Sequence, residues 1–459
     1  MLSRTEIENI LNASISKGGD FADIFIEETF QTAISLEDDK IDRISTGTDA
    51  GAGIRVMDGT TTYYASSQDS SYTSLMKAAN ELSNDIMKPA KKPDIKIRPV
   101  ISGLNFEIKK RPNLVPINEK VSIVEIANKT ARSFGSRIRQ VTVRYTDTNQ
   151  AVTVANSNGS YTEDNRIRTR FMVNVVASKE GLLQTGYEAP GGTVGFEFFE
   201  THNVEVLAAK AAERAIMMLE APHAPGGKMP VVMASEAGGT MVHEACGHSL
   251  EADFIQKGTS VFTHKIGQQV ASPLITVIDD ATIPGNFGSF RFDDEGTPSQ
   301  RTILIENGVL KGYMSDRYYS RLLGSISSGN GRRENFRTKP VPRMTNTYIQ
   351  AGETNPDEII ASIKNGILVK KMGGGEVNVT NGDFVFEVTE AYLIVDGKIK
   401  NPVRGAMLIG NGPKVLQQID MVGWDLNFIP GVCGKYDHAP VSDGQPTIRI
   451  PEITVGGIS

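Results

Sequence analysis

The sequence is poor in cysteine, histidine and tryptophan. Its 459 residues include 2 cysteines, 6 histidines and 1 tryptophan. The cysteines, Cys246 and Cys433, lie far apart, and Glu6 and Glu8 interrupt the opening segment where an export signal would have its apolar core. We therefore expect a cytoplasmic, reducing location. There a cysteine is a metal ligand or a packed residue rather than half of a disulfide.

Long apolar runs and an excess of positive charge are also lacking. No stretch approaches the roughly 20 apolar residues of a membrane span. A formal net charge of -6 gives no basic field that would attract nucleic acid. With 39% hydrophobic and 22% charged residues, the composition is that of a globular chain large enough for more than one core. We predict no membrane and no nucleic-acid partner.

Hydrophobic periodicity changes along the chain and predicts an α+β fold. Ser3 and Glu6 fit a capping box ahead of a first helix, and polar-apolar alternation then indicates antiparallel strands. A Pro/Gly-rich segment at 221–230 is the best candidate boundary. We predict an N-terminal α/β domain, residues 1–225, with helices on an antiparallel sheet. The C-terminal domain, residues 226–459, is predicted to be β-rich, as a barrel or a mixed sheet, with helical segments near 236–256.

Three of the scarce residues, His243, Cys246 and His248, fall within one short segment, HEACGH. The segment also contains Glu244. In a regular helix an i,i+4 pair lies about 40° apart around the axis, whereas an i,i+5 pair lies about 140° apart. The helix must therefore widen or break for the two histidines to share one ion. Gly247 is where a π-type widening is easiest. We predict a metal-binding H-E-x-x-x-H motif, with Cys246 as a packed residue.

A catalytic zinc has three protein ligands and an open position. The spacing does not select the third ligand, and it leaves Cys433 and Glu251 nearly equal. The candidates that the sequence offers are Glu251, Asp253, His264, Cys433 and His438.

Four ordered blocks resemble the TldD/PmbA family, on its metal-bearing TldD side. They are HEACGHSLEAD (243–253), the segment from FRFDDEGTPSQ to YMSDR (290–317), GNGRRENFRTKPVPRMTNTYI (329–349) and PGVCGKYDHAPVSDGQPTIRI (430–450). The resemblance implies a zinc metalloprotease that acts on peptides or poorly folded proteins. It implies one zinc per chain held by His243, His248 and Cys433, with Glu244 as the catalytic carboxylate, and so favours Cys433 over Glu251. It also implies a dimer, with a second copy or with a metal-free paralogue.

An arginine-rich stretch is the second candidate region. Arg332, Arg333 and Arg337 could hold a peptide carboxylate, or they could order the acidic loop Asp293-Asp294-Glu295. His438, close to Cys433 in sequence, departs from the family block and could approach the metal or the substrate. We predict these four residues as candidate substrate-binding groups.

Two other function classes compete with the peptidase hypothesis. The chain could be a non-catalytic peptide-binding subunit of a TldD/PmbA-type complex, or a metal-dependent hydrolase of non-peptide amides. The presence of His243, Glu244, His248 and Cys433 together favours the catalytic hypothesis over the first of these.

Overall fold

The computed structural model describes residues 2–86, 88–89 and 92–457. Its N-terminal half contains a twisted, mainly antiparallel sheet with helices packed against it. The elements of this half are α1 (Arg4–Ser14), β1 (Phe21–Glu37), β2 (Lys40–Asp58), β3 (Thr61–Ser67), α2 (Tyr72–Asn84), β4 (Arg98–Pro99), a 3-10 turn (Pro112–Leu114), α3 (Ile117–Arg132), β5 (Ile138–Asn156), β6 (Ser160–Lys179), β7 (Leu182–Glu188), β8 (Gly191–Gly192), α4 (Phe198–Thr201) and α5 (Val204–Glu220).

The N-terminal sheet has the strand order β3-β2-β1-β5-β6-β4, with β7 and β8 also paired to β6. Its helices bury two apolar clusters, one under α1 and α2 and one under α3 and α5. The predicted capping box begins α1, since the Ser3 hydroxyl accepts from the Glu6 amide and the Glu6 carboxylate accepts from the Ser3 amide. The predicted arrangement of helices on an antiparallel sheet is confirmed.

The C-terminal half is richer in strands, as predicted. Its elements are β9 (Gly227–Met233), a 3-10 turn (Ser235–Ala237), α6 (Thr240–Val242), a π turn (His243–Gly247), a 3-10 turn (His248–Leu250), α7 (Ala252–Gln256), β10 (Val277–Asp280), β11 (Arg301–Glu306), β12 (Val309–Leu310), α8 (Arg317–Leu322), β13 (Gly331–Arg332), β14 (Val341–Pro342), β15 (Asn346–Ile349), α9 (Pro356–Ala361), β16 (Asn365–Val377), β17 (Asp383–Val395), β18 (Lys398–Val403), β19 (Met407–Asn411), α10 (Gly412–Gln418), β20 (Met421–Val422), β21 (Asn427–Gly434), β22 (His438–Gln445) and β23 (Ile448–Gly456).

Five of these strands close into a barrel. The order is β16-β9-β23-β19-β17, and β16 pairs with β17 to complete the ring. Beside the barrel lies a second sheet of order β12-β11-β10-β15-β22-β21, which places β21 at an edge. The turn between β11 and β12 has the positive φ angles at Asn307 and Gly308 that a tight hairpin turn needs. The helical segment at 240–256 lies between the two sheets, in the largest apolar cluster.

One loop of the C-terminal half, residues 331–343, packs on the N-terminal sheet. Its Phe336 is buried against Phe25, Val152 and Val154. The adjacent Gly51 leaves room for the ring, because a Cβ at that position would overlap it. None of the helices in the described ranges is long and apolar enough to cross a membrane.

Candidate metal centre

The helix that carries the H-E-x-x-x-H motif widens by one residue at the motif. Residues His243–Gly247 form a π turn, and the His248 amide donates to the His243 carbonyl five residues earlier. This register places the two imidazoles close together, with ring centroids 4.9 Å apart and planes at 90°. The predicted widening between the histidines is confirmed.

Gly247 lets the Met344 side chain pack directly against this turn. A Cβ on Gly247 would overlap the sulfur of Met344 and lie 3.2 Å from its methyl carbon. Met344 is fully buried, so its side chain has packed neighbours on all sides. The glycine that the sequence singled out is therefore also a close-contact position.

Cys433, near the end of the edge strand β21, brings its sulfur to both histidines. Its Sγ lies 3.2 Å from Nε2 of His243 and 3.2 Å from Nε2 of His248. The three ligand atoms all lie within 4.8 Å of one another, and all three residues are buried. Within the ranges that the structure describes, no other group of three or more His, Cys, Asp or Glu side chains converges in this way.

A carboxylate orients each imidazole. Nδ1 of His243 donates to Oδ1 of Asp443 at 2.6 Å, and Nδ1 of His248 donates to Oε2 of Glu251 at 3.1 Å. These hydrogen bonds keep the proton on Nδ1 and turn Nε2 towards the sulfur. This is the arrangement that metal-ligating histidines usually have.

The three converging groups also change one another's protonation. Burial alone would raise the pKa of the Cys433 thiol, but the two imidazoles lower the pKa to about 6. Burial alone would lower the pKa of His248, but Glu251 and Cys433 raise it to about 9. The pKa of His243 is likewise raised, because Asp443 and Cys433 outweigh its burial. The sulfur is therefore a thiolate at neutral pH, which is the form that binds metal.

The carboxylate behind His248 is held ionised in a fully buried position. Burial favours the neutral acid, but Lys435, His248 and Arg343 lower the pKa of Glu251 to about 2. Glu251 has extended backbone angles between the 3-10 turn and α7, and this break turns its side chain back towards His248.

Three models of the PmbA/TldA metallopeptidase family match successive parts of the chain: domain 1 over residues 22–84, the central domain over residues 110–219 and the C-terminal domain over residues 226–457. A metalloprotease TldD homolog of Haemophilus influenzae is 38% identical and covers 99% of this chain and 97% of its own length. This chain belongs to the TldD/PmbA family.

A further relative and two solved structures are similar to nearly the full length of this chain. A zinc metalloprotease TldD homolog of Saccharolobus solfataricus is 26% identical, with 96% of this chain and 97% of that protein covered. TldE from Thermococcus kodakarensis has a TM-score of 0.76 at 20% identity, and the match covers 98% of this chain and 100% of that chain. A crystal structure from Thermotoga maritima has a TM-score of 0.78 at 22% identity, and the match covers 95% of this chain and 96% of that chain. The relatives' names support a peptidase, and the structural matches show the shared fold.

The remaining ligand candidates of this TldD/PmbA family member lie outside the three-residue cluster. Asp253 pairs with Lys435 at 2.6 Å, and His264 is exposed. The side chain of His438 is 70% exposed and pairs with Glu334 at 3.0 Å. His438 is the cross-strand partner of Gly434, so it projects from the face of the hairpin opposite to Cys433.

Cys246 and Glu244 differ in their surroundings, although both lie in the π turn. Cys246 is buried in the apolar cluster with its sulfur 3.3 Å from the Val242 carbonyl, and burial raises the pKa of its thiol to about 12. It is thus a packed residue, as predicted. Glu244 follows His243 directly and is partly exposed, unlike the buried ligand candidates on either side.

The candidate substrate-binding arginines contact acidic and backbone groups of the protein. The Arg333 backbone amide donates to the Asp294 carboxylate at 2.9 Å, and its Nη2 donates to the Asp294 carbonyl at 3.0 Å, so Arg333 orders the acidic loop. Arg332 is buried with its guanidinium against the Met344 carbonyl, and Arg337 forms a two-pronged ion pair with Asp49. A role of these arginines in substrate binding stays a prediction.

Sequence reasoning did not place three residues next to the candidate ligands. Asp443 lies on β22, four residues after Ala439, the cross-strand partner of Cys433, so Asp443 and Cys433 share one face of the hairpin. Only the register of β21 with β22 places them on the same face. Arg343 and Lys435 approach the cluster from a loop and a tight turn. The available signal in the sequence is the set of charged residues in the blocks at 329–349 and 430–450, and it does not indicate which charges meet.

Proposed function

We propose that this protein is a zinc-dependent metallopeptidase that hydrolyses peptide bonds in peptides or unfolded proteins. The observation that carries the proposal is the meeting of His243, His248 and Cys433, with each imidazole oriented by a buried carboxylate. The names of the relatives supply the reaction class, and that of the Saccharolobus solfataricus protein supplies zinc.

The donor set fits zinc. Two imidazole nitrogens and one thiolate are ligands that zinc prefers, and a catalytic site keeps three protein ligands. The Nδ1 protons of His243 and His248 are held by carboxylates, so Nε2 is the atom of each ring that would ligate once it loses its proton. When bound, zinc would polarise the scissile carbonyl and acidify the attacking water.

Glu244 is the residue proposed to move protons. It lies beside His243 on the π turn and is partly exposed, so its carboxylate is accessible to water and to a bound chain. A carboxylate in this position accepts a proton from the attacking water and returns it to the departing amine. The reacting groups all belong to residues 226–459, which we propose as the catalytic domain.

The proposed partners are a peptide or unfolded-protein substrate and a second subunit. The fold matches TldE at a TM-score of 0.76, which supports a dimer with a second copy or with a metal-free paralogue of the same fold. We propose a cytoplasmic location on the scarcity and burial of the cysteines, both of which are unpaired.

Metal content and cleavage measured on one set of variants test this proposal. We expect the wild type to hold about one zinc per chain and to cleave an unfolded protein. Glu244→Gln should retain the zinc and lose cleavage by about 100-fold or more, because it removes the proton acceptor and little volume. Glu306→Gln, at a partly exposed carboxylate of the same half that pairs with Lys311, is the control and should retain both.

The outcomes separate the alternatives. A zinc-loaded wild type that binds unfolded protein without cutting it would favour the binding-subunit hypothesis. Cleavage of small amides but not of polypeptides would favour the amide hydrolase. Full cleavage by Glu244→Gln would remove the assigned proton acceptor.

A further inference from the structure

Two buried cations lie behind the proposed metal ligands. Lys435 has a side chain only 4% exposed, and its Nζ lies 3.0 Å from Oε2 of Glu251 and 2.6 Å from Oδ1 of Asp253. Its third contact is the Pro342 carbonyl at 3.3 Å. A buried ammonium with this many oxygen partners has one well-defined position.

Arg343 is the second cation and is fully buried. Its Nη2 donates to the Cys433 carbonyl at 2.7 Å, and its Nη1 donates to the Asp437 carbonyl at 3.1 Å and to the Asp437 carboxylate. Its Nε lies 3.7 Å from Oε1 of Glu251. One guanidinium therefore contacts both ends of the 433–437 turn and also the carboxylate that orients His248.

These contacts join the two chain segments that supply the ligands. His248 and Glu251 belong to the motif helix, whereas Cys433 and Lys435 belong to the β21–β22 hairpin. Lys435 belongs to the hairpin turn, and Arg343 binds that turn from outside it. The side chains of both residues reach Glu251 in the other segment. This charged contact therefore connects the segment that carries the His248 imidazole to the segment that carries the Cys433 sulfur.

We propose that Lys435 and Arg343 are positioning residues for the metal centre, which hold the Cys433 hairpin against the carboxylate that orients His248. The inference rests on the proposed function, since it concerns the affinity of the same centre for its metal. The hydrogen bonds of both residues end on carboxylates and backbone carbonyls. Their effect is to keep the sulfur and the imidazole nitrogen in ligating positions before the metal arrives.

A similar buried pair elsewhere in the chain distinguishes positioning from plain stability. Lys120 and Asp147 meet at 2.6 Å in the N-terminal core, and both side chains are at least as buried as those of Lys435 and Asp253. Removing either lysine leaves a buried carboxylate with fewer partners and destabilises the fold. Only the loss of Lys435 also loosens the proposed metal site.

The test compares Lys435→Met with Lys120→Met in the full-length protein. Zinc affinity is measured by competition with a chelator, and the Co²⁺-loaded absorption spectrum reports the thiolate ligand. We expect Lys435→Met to bind zinc about 10-fold or more weakly and to change the Co²⁺ spectrum, as loss of an outer-shell partner does. Lys120→Met should lower the unfolding midpoint but leave both metal readouts at wild-type values.

Two further variants keep the inference falsifiable if Lys435→Met folds poorly. Lys435→Met with Asp253→Asn removes both charges of the pair, so it leaves no unpaired aspartate. Arg343→Lys retains the charge but loses the planar fork that spans Cys433 and Asp437. Both should fold and bind zinc more weakly than the wild type.

The failures of the inference and of the proposed function can be told apart. A wild-type protein that binds no zinc would overturn both. If the wild type binds zinc and folded Lys435→Met and Arg343→Lys bind it equally well with unchanged Co²⁺ spectra, the positioning role is overturned and the metal centre stands. An equal loss of zinc affinity in Lys120→Met would also overturn it, because stability alone would then explain the effect.

Discussion

Gly247→Ala is the substitution that tests the π turn most specifically. The new methyl group would overlap the sulfur of Met344 and lie 3.2 Å from its methyl carbon. Since Met344 is fully buried, the overlap must be relieved by moving the methionine or the helix. Such overpacking destabilises a core by about 1–3 kcal/mol. If the helix moves, His248 moves with it, because it is the next residue.

We therefore expect two measurable effects of Gly247→Ala. The free energy of unfolding of the metal-free protein should fall by about 1–3 kcal/mol in urea titrations. Zinc affinity should fall by about 10-fold, since metal sites tolerate ligand displacements of only about 0.5 Å. Gly434→Ala is the matched control. It lies beside Cys433 as Gly247 lies beside His248, and a Cβ there meets no atom within 4 Å.

A double-mutant cycle locates the effect in this contact. Combining Gly247→Ala with Met344→Ala removes the overlap, so the double variant should be more stable than the sum of the single effects by about 0.5–3 kcal/mol. Unchanged stability and zinc affinity in Gly247→Ala would refute the view that close packing at Gly247 shapes the site. Additive single effects would show that Met344 is not the group that opposes the methyl.

Three further predictions concern the surroundings of the candidate centre. Asp443→Asn should weaken zinc binding by about 10–100-fold in chelator competition, because an amide holds the His243 Nδ1 proton less well than a carboxylate does. An unchanged zinc affinity would contradict the orienting role of Asp443. Zinc affinity should rise from pH 6 to pH 9, because the metal must displace the proton of His248, whose pKa is about 9. Below pH 6 the affinity should fall more steeply, because the Cys433 sulfur then also binds a proton. A flat profile from pH 5 to pH 9 would contradict this reading. Phe336→Ala should lower the free energy of unfolding by about 3–5 kcal/mol in urea, because it empties a buried position between the 331–343 loop and the N-terminal sheet. A decrease of less than about 1 kcal/mol would contradict that packing.

Features encoded by neighbouring residues could be predicted from the sequence. The Ser3–Glu6 capping box, the hairpin turn at Asn307-Gly308 and the widened turn before His248 each depend on a few adjacent side chains. Counting residues around a helix shows that the two histidines can meet only where the helix widens, so this expectation also needs no long-range information.

Features that depend on strand register could not be predicted in this way. The sequence left Cys433 and Glu251 as competing ligands, and only the resemblance to a known family favoured the cysteine. In the fold both residues contribute, with Cys433 beside the two Nε2 atoms and Glu251 behind Nδ1 of His248. The place of Asp443 depends on the pairing of β21 with β22, and that pairing is set by contacts far apart in the chain.

The central claim is that two histidines and a distant cysteine hold one metal ion. The measurement that tests it most directly is the zinc content per chain of the wild type beside that of Cys433→Ala and Cys246→Ala. Cys433→Ala should lose the zinc, and Cys246→Ala, whose sulfur packs in the core 3.3 Å from a carbonyl, should retain it. A Cys433→Ala protein that keeps a full equivalent of zinc would contradict the account and return Glu251 as the third ligand.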